Sequence, residues 1–157
     1  MNILIPMAGR GKRFKEAGYK KPKPLIDVAG EPMIKRVLES LKSKREINFI
    51  FVVLKEHLKA GLSEYLKGTI IELDKVTKGT TCTTLLAEKH IDNNKELLIV
   101  NCDQYLEWKL DDFLDYAENS DGCLVVFNST DPSHSYAKVK NEKVVKVAEN
   151  WAIDMIL

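Results

Sequence analysis

At 157 residues, 45% hydrophobic and 30% charged, the chain has the length and composition of one ordinary globular domain, which excludes a disordered or fibrous protein. Formal net charge is +1, so overall charge names no partner. Its distribution is uneven: residues 1–36 hold nine of the 24 Lys and Arg but only three of the 23 acids, and such a basic stretch on a near-neutral chain points to a local anion site.

Residues 2–6 (NILIP) form a short apolar run that predicts a buried first strand. Residues 9–24, rich in Gly, Lys and Pro, read as too polar and too broken for a regular element. Pro32 opens a helical pattern in which Ile34, Val37, Leu38 and Leu41 share one face. Residues 47–54 (INFIFVVL) are almost continuously apolar, as in a strand covered on both faces. Leu58, Leu62, Tyr65 and Leu66 predict a further helix, and residues 69–73 (TIIEL) a strand. Residues 83–91 read as a helix offering Leu85, Leu86 and Ile91 to the core, and residues 96–102 (ELLIVNC) as a strand that ends at Asp103. A helix over 110–119, a strand over 123–128 and a two-stranded ribbon over 136–148, turning near Asn141 and Glu142, complete the order.

Strands alternating with helices predict an α/β fold over residues 1–157, with a Rossmann-like, mixed but mostly parallel sheet and helices on both faces. Open sheets of this kind take ligands beyond the carboxyl ends of their strands. That rule brings the loop after Pro6 and the Asp103 loop to one edge. The three cysteines, Cys82, Cys102 and Cys123, show no metal-ligand spacing and read as buried free thiols of a reducing compartment. The apolar runs are strand-length, too short to span a membrane, so a cytoplasmic protein with no membrane contact is expected.

The most informative segment directly follows the first strand. Residues 7–14 read MAGRGKRF, and the two glycines allow main-chain N–H groups to turn towards an anion. A dinucleotide fingerprint needs glycine where Phe14 stands, and a Walker loop needs Ser or Thr where Arg13 follows Lys12. Lys21-Pro22-Lys23-Pro24-Leu25 comes next. Each proline fixes φ and removes an N–H, so Lys23 sits on a stiff, extended stretch, as suits a cation that must reach one particular phosphate.

Taken together, AxGxGxRF, then PKPL, then VAGEPMI resemble the opening of the sugar-phosphate nucleotidylyltransferases and their cytidylyltransferase relatives. The resemblance implies the nucleotide-diphospho-sugar transferase fold. By position it makes Arg13 the arginine that grips the β and γ phosphates and Lys23 the lysine that meets the α phosphate. It puts the backbone of Ala8 and Gly9 against the base and, with Gly11 and Lys12, the loop around the NTP. Gly79, Thr80 and Thr81 resemble the family's glycine-threonine turn at base and ribose, although both threonines are also good helix caps. Asp103, after Asn101 and Cys102, resembles the family's metal-binding strand end, where a carboxylate holds Mg²⁺ through one oxygen. Residues 136–149 resemble the ribbon that leads to the acceptor site, with Glu149 as an acceptor-binding residue. The family's lysine after that glutamate is Asn150 here.

The implied reaction transfers an NMP unit from an NTP to a sugar phosphate, with release of pyrophosphate, for surface polysaccharide precursors. Two alternatives stand beside it: a cytidylyltransferase acting on a non-sugar phosphate such as phosphocholine or a phosphorylated amino acid derivative, and a non-catalytic nucleotide-binding domain. Family members extend well past residue 157, so the chain is expected to match about the first two thirds of one, a C-terminally truncated form in which the family's second metal acid is not aligned. Expected partners are thus an NTP and a phosphorylated small molecule. Nucleic acid is excluded because the basic residues cluster in one loop without interleaved aromatics. Apolar strands near an open edge lead to an expectation of self-association. His57, His90 and His134 read as ordinary surface or satisfied histidines, Trp108 and Trp151 as packing residues, and Asp111-Asp112 as a helix start that suits the dipole.

Overall fold

The N-terminal apolar run is a strand, β1 (Asn2–Met7), with every residue but Pro6 buried. In the computed structural model, residues 1–131 and 134–149 are described, Glu149 by its backbone alone. Beyond β1 come α1 (Lys12–Glu16), a 3-10 turn (Lys23–Leu25), β2 (Asp27–Val28), β3 (Glu31–Pro32) and α2 (Met33–Ser40). There follow β4 (Asn48–Leu54), α3 (Lys55–Lys59), a second 3-10 turn (Leu62–Tyr65), β5 (Thr69–Leu73), α4 (Thr80–Leu85) and α5 (Glu88–Ile91). The last elements are β6 (Leu97–Ile99), α6 (Leu110–Ala117), β7 (Ser135–Lys140) and β8 (Lys143–Glu149). The chain divides into two units, Met1–Tyr116 and Ala117–Leu157.

In the first unit β5, β4, β1 and β6 lie side by side in that order, and every pairing is parallel. Side chains alternate across the sheet, so the continuous apolar runs feed two cores. Ile3, Ile5, Met7, Phe51 and Val53 face Ile34, Val37 and Leu41 of the α2 segment, together with Leu62, Leu110 and Leu114. Leu4, Ile50 and Val52 face Ala87 and Ile91 on the other side. Helices on both faces and a parallel sheet therefore agree with the expected fold.

Several elements depart from expectation, each for a local reason. The stretch 9–24 contains a short helix after all. Gly11 takes a left-handed turn (φ 60°) that starts α1. The helix expected around residues 58–66 is split in two by Gly61, also left-handed (φ 99°). The helix expected over 83–91 begins earlier, at Thr80, and breaks into α4 and α5. The strand expected over 96–102 keeps ladder pairing only from Leu97 to Ile99, although Val100 still donates its N–H to the Leu4 carbonyl at 3.0 Å. Residues 123–128 form no strand, and Leu124 to Phe127 are all exposed. The ribbon is as expected: β7 and β8 pair antiparallel, and Asn141 (φ 51°) and Glu142 (φ 62°) both adopt the positive φ that a tight hairpin turn requires.

Asp111 does more than greet its helix dipole. Its carboxylate accepts hydrogen bonds from the Ser43 hydroxyl and the Lys44 N–H, which hold it below the usual carboxylate range. Trp108 packs, as expected: its ring lies 5.2 Å from Phe113 and its Nε1 donates to the Ser40 carbonyl at 2.8 Å. Asn150, Trp151 and Asp154 lie outside the described residues.

Candidate active site

The strand order fixes where a ligand can sit. Leaving β1, the chain runs to β4 and β5 on one side and to β6 on the other. The carboxyl ends of β1 and β6 therefore flank the point where the order reverses, the place where open parallel sheets form a crevice. A cleft of about 650 Å³ lies there. Its walls are the strand end and loop from Pro6 to Lys12, Lys15 and Glu16 of α1, Lys23 and Pro24, the turn at Val76, Thr77, Gly79, Thr80 and Thr83, and the β6 exit at Asn101, Cys102 and Asp103.

Lys23 reaches across this cleft. Its Nζ lies 2.5 Å from Asp103 Oδ2, a charge-assisted bond between groups 80 residues apart. Both side chains stay partly accessible, 25% and 36% exposed, so both remain open to a ligand. The position of Lys23 is set from three sides. Pro22 (φ −53°) starts the 3-10 turn. The Phe14 ring lies under the ammonium, 5.6 Å from it. Gly11 packs so closely that an added Cβ would stand 3.0 Å from Lys23 Cβ. Gly11 is thus required twice, for its left-handed φ and for that approach.

Gly9 and Gly79 serve differently. Neither sits in left-handed backbone, and nothing lies within 4 Å of where a Cβ would be, so each keeps the cleft wall open. Gly79 leads into α4, where its carbonyl accepts from the Thr83 N–H (3.1 Å) and from the hydroxyls of Thr83 (3.1 Å) and Thr77 (2.9 Å). This network fixes the turn. Behind Asp103, burial and the Asp103 charge push the Cys102 thiol up to about 11, which keeps it protonated and unreactive at neutral pH. Cys82 is exposed and Cys123 partly so, against the expectation that all three thiols are buried.

Of the residues singled out by sequence, the cleft gathers Ala8, Gly9, Gly11, Lys12, Lys23, Gly79, Thr80 and Asp103. Arg13 and Thr81 are exposed and do not line it. Glu149 closes β8, and its side chain lies outside the described residues. Arg10, Lys15, Glu16, Thr77, Thr83 and Asn101 also line the cleft and were not among the site residues expected from sequence, although Thr83 and Asn101 lie within the motifs read there. The spacing of Lys12, Lys15 and Glu16 would have exposed two of them had α1 been recognised. His57 overturns the expectation of a satisfied histidine. It is 2% exposed and its Nδ1 has no hydrogen-bond partner. Burial, aided by the nearby Lys15 charge, holds it below its usual range, against the opposing pull of Glu56 and the Met7 carbonyl.

Among the described residues no three His, Cys, Asp or Glu side chains cluster as metal ligands. Asp103 is the carboxylate at the strand end in the cleft. One carboxylate is enough for a magnesium ion whose other ligands are phosphates and water. The residues present therefore fit an ion that arrives with a polyphosphate.

A family model described as "MobA-like NTP transferase domain" matches residues 3–152. The bifunctional protein GlmU of Methanocaldococcus jannaschii is 28% identical over 120 residues, covering 74% of this chain and 28% of that protein. The mannose-1-phosphate guanyltransferase of Pichia angusta is 26% identical over 160 residues, covering 96% of this chain and 44% of that protein. The chain thus spans less than half the length of either curated relative. Among solved structures, a nucleoside-diphosphate-sugar pyrophosphorylase from Vibrio cholerae RC9 superposes with a TM-score of 0.73 at 26% identity, over 98% of this chain and 68% of that one.

Proposed function

The chain belongs to the MobA-like NTP transferase domain family, and from that membership we propose that it is the nucleotide-binding part of a nucleotidyltransferase. The reaction joins an NMP unit from an NTP to a sugar phosphate and releases pyrophosphate. The observation that carries this reading is the Lys23–Asp103 pair, 2.5 Å apart across a glycine-lined cleft at the strand-order switch. The relatives support the substrate class, since the Pichia angusta protein is a guanyltransferase for mannose 1-phosphate and the Vibrio cholerae protein a nucleoside-diphosphate-sugar pyrophosphorylase.

The chemistry asks for positioning and charge neutralisation more than for an activated nucleophile. A phosphate oxygen of the acceptor is already nucleophilic at neutral pH. It bonds to the α phosphorus as the bond to the β-phosphate oxygen breaks, and the electron pair leaves with pyrophosphate. Lys23 stabilises the negative charge on the α phosphoryl, and Asp103, otherwise paired with Lys23, is the residue that would hold a magnesium ion. When bound, that ion would draw charge from the phosphate oxygens. The open backbone at Gly9 and Gly79 leaves room for base and ribose. Arg13 can join the leaving pyrophosphate only by turning its side chain in from the exposed side of α1. Glu149 remains the residue assigned to the acceptor, and a supply of activated sugar for surface polysaccharide in the cytoplasm is the role that this reaction suits. Among the described residues no helix is long and apolar enough to cross a membrane.

The test is pyrophosphate release from a panel of NTPs offered with sugar 1-phosphates. Lys23→Ala is expected to lower the rate by about 10²–10³, the loss on removing a preorganised charge donor from comparable sites. Near-normal turnover by Lys23→Ala would overturn its role.

A further inference from the structure

Helix α1 carries three cations in little more than one turn: Lys12, Arg13 and Lys15. Residues three apart lie along one edge of a helix, and a residue one step on is turned away by about 100°. Lys12 and Lys15 share such an edge, and both line the cleft, whereas Arg13 does not. The rotation of this turn is set by Phe14, whose ring packs edge-on against Tyr19 at 5.6 Å and lies under the Lys23 ammonium. The helix itself hangs from the glycine loop, with the Lys15 N–H donating to the Gly11 carbonyl at 3.1 Å. Lys15 is therefore held by the same loop that forms the cleft wall.

The cations of the cleft differ in what they face. Lys23 is bound to Asp103, Lys12 lies 3.7 Å from Glu16, and Arg10, on the glycine loop itself, has no carboxylate within ion-pair distance among the described residues. Among the described residues no carboxylate lies within ion-pair distance of Lys15, and its ammonium makes no side-chain hydrogen bond. The buried His57 lies near enough for the Lys15 charge to help lower its pKa, and an imidazole carries no negative charge in either protonation state, so it cannot pair with that ammonium. An unpaired ammonium on the wall of a cleft that already holds three other cations is an arrangement that a polyanion completes.

We propose that Lys15 is a second phosphate-binding lysine, gripping the terminal phosphates of the nucleotide while Lys23 meets the α phosphate. The division follows from position. Lys23 stands beside the strand-end carboxylate where the reacting phosphorus must lie, and Lys15 stands on the helix that leads away from the glycine loop. The proposal rests on the nucleotide-binding reading of the cleft. It adds the residue that measures the length of the phosphate tail.

Isothermal titration calorimetry in the presence of magnesium, with GTP, CTP and UTP and with GMP, CMP and UMP, tests it on the full chain. Lys15→Ala is expected to weaken the tightest-bound triphosphate about tenfold, the loss of one charge-assisted hydrogen bond in a partly exposed site. The matching monophosphate should bind as it does to the wild type, and Lys15→Arg should restore most of the triphosphate affinity. Lys59→Ala removes an equal charge outside the cleft and should change neither. Lys15→Met, which keeps the apolar stem, guards against a loss of fold and should behave like Lys15→Ala. Unchanged triphosphate affinity in Lys15→Ala, or an equal loss for mono- and triphosphate, overturns the proposal while leaving the nucleotide reading intact. Wild-type protein that binds no triphosphate overturns both.

Discussion

In the first unit, Met1–Tyr116, the run from Ile50 to Leu54 disappears into the sheet, with Phe51 fully buried. In the second, Ala117–Leu157, an equally apolar run from Leu124 to Phe127 stays more than half exposed, and Phe127 reaches 74%. The compositions are alike, so hydrophobicity alone does not make a strand. What separates them is a neighbour. β4 has β1 on one side and β5 on the other, in register over six and five residues, and each ladder supplies partners for backbone groups that cannot be buried unpaired. Residues 123–128 have no ladder among the described residues. The ribbon β7–β8 has a single one, and Val139, Val144, Val145 and Val147 remain exposed on it, as befits a two-stranded element that cannot bury a face by itself.

The largest expected difference between the units follows directly. Phe51→Ala should cost about 3–5 kcal/mol, the range for truncating a buried aromatic, whereas Phe127→Ala should stay within about 0.5 kcal/mol of wild type, as exposed substitutions do. Urea denaturation of both variants measures this. Similar losses in the two would break the contrast and mean that residues 124–127 are packed in solution.

A smaller effect sharpens the account of the first unit. His57 is buried with an unpartnered Nδ1, and its folded pKa is lowered by burial and then by the Lys15 charge. A lowered pKa means that the unfolded chain binds the proton more tightly than the folded one. Its contribution is therefore fully present above the ordinary value of 6.5 and is lost as pH falls through the folded value. Wild-type stability should decline below pH 6.5 with a slope no steeper than about 1.4 kcal/mol per pH unit, that of a single proton. In His57→Phe that decline should be shallower. Parallel pH profiles for the two proteins would remove His57 as its source.

Sequence reading reached furthest where pattern and packing coincide. The strands β1 and β4 were legible because apolar runs covered on both faces have few other fates, the edge strand β5 from its short run TIIEL, and the β7–β8 turn at Asn141-Glu142. The helices were harder. Gly61 in left-handed backbone splits one expected helix, and such a break depends on a φ that composition does not reveal. Strand 123–128 failed because pairing is a property of two segments. At the cleft, the glycine loop, Lys23 and Asp103 were recognised from their motifs. Lys15, Thr77 and Thr83 were not. One short helix, KRFKE, sits between breakers and leaves too few residues for periodicity, and threonines at a helix start read equally well as caps.

On the proposed reading, the cleft between the ends of β1 and β6 is the seat of a nucleotide and the magnesium that accompanies it. A thermal-shift panel of ATP, GTP, CTP, UTP and dTTP, each with and without Mg²⁺, tests it most directly. Binding stabilises the folded chain by RT ln(1 + [L]/Kd), about 2.7 kcal/mol at a hundredfold excess over Kd, enough to rank the bases. A magnesium-dependent rise in Tm for one base above the others, lost in Lys23→Ala, is the expected result. No shift with any triphosphate, or a shift that Lys23→Ala retains in full, would contradict it.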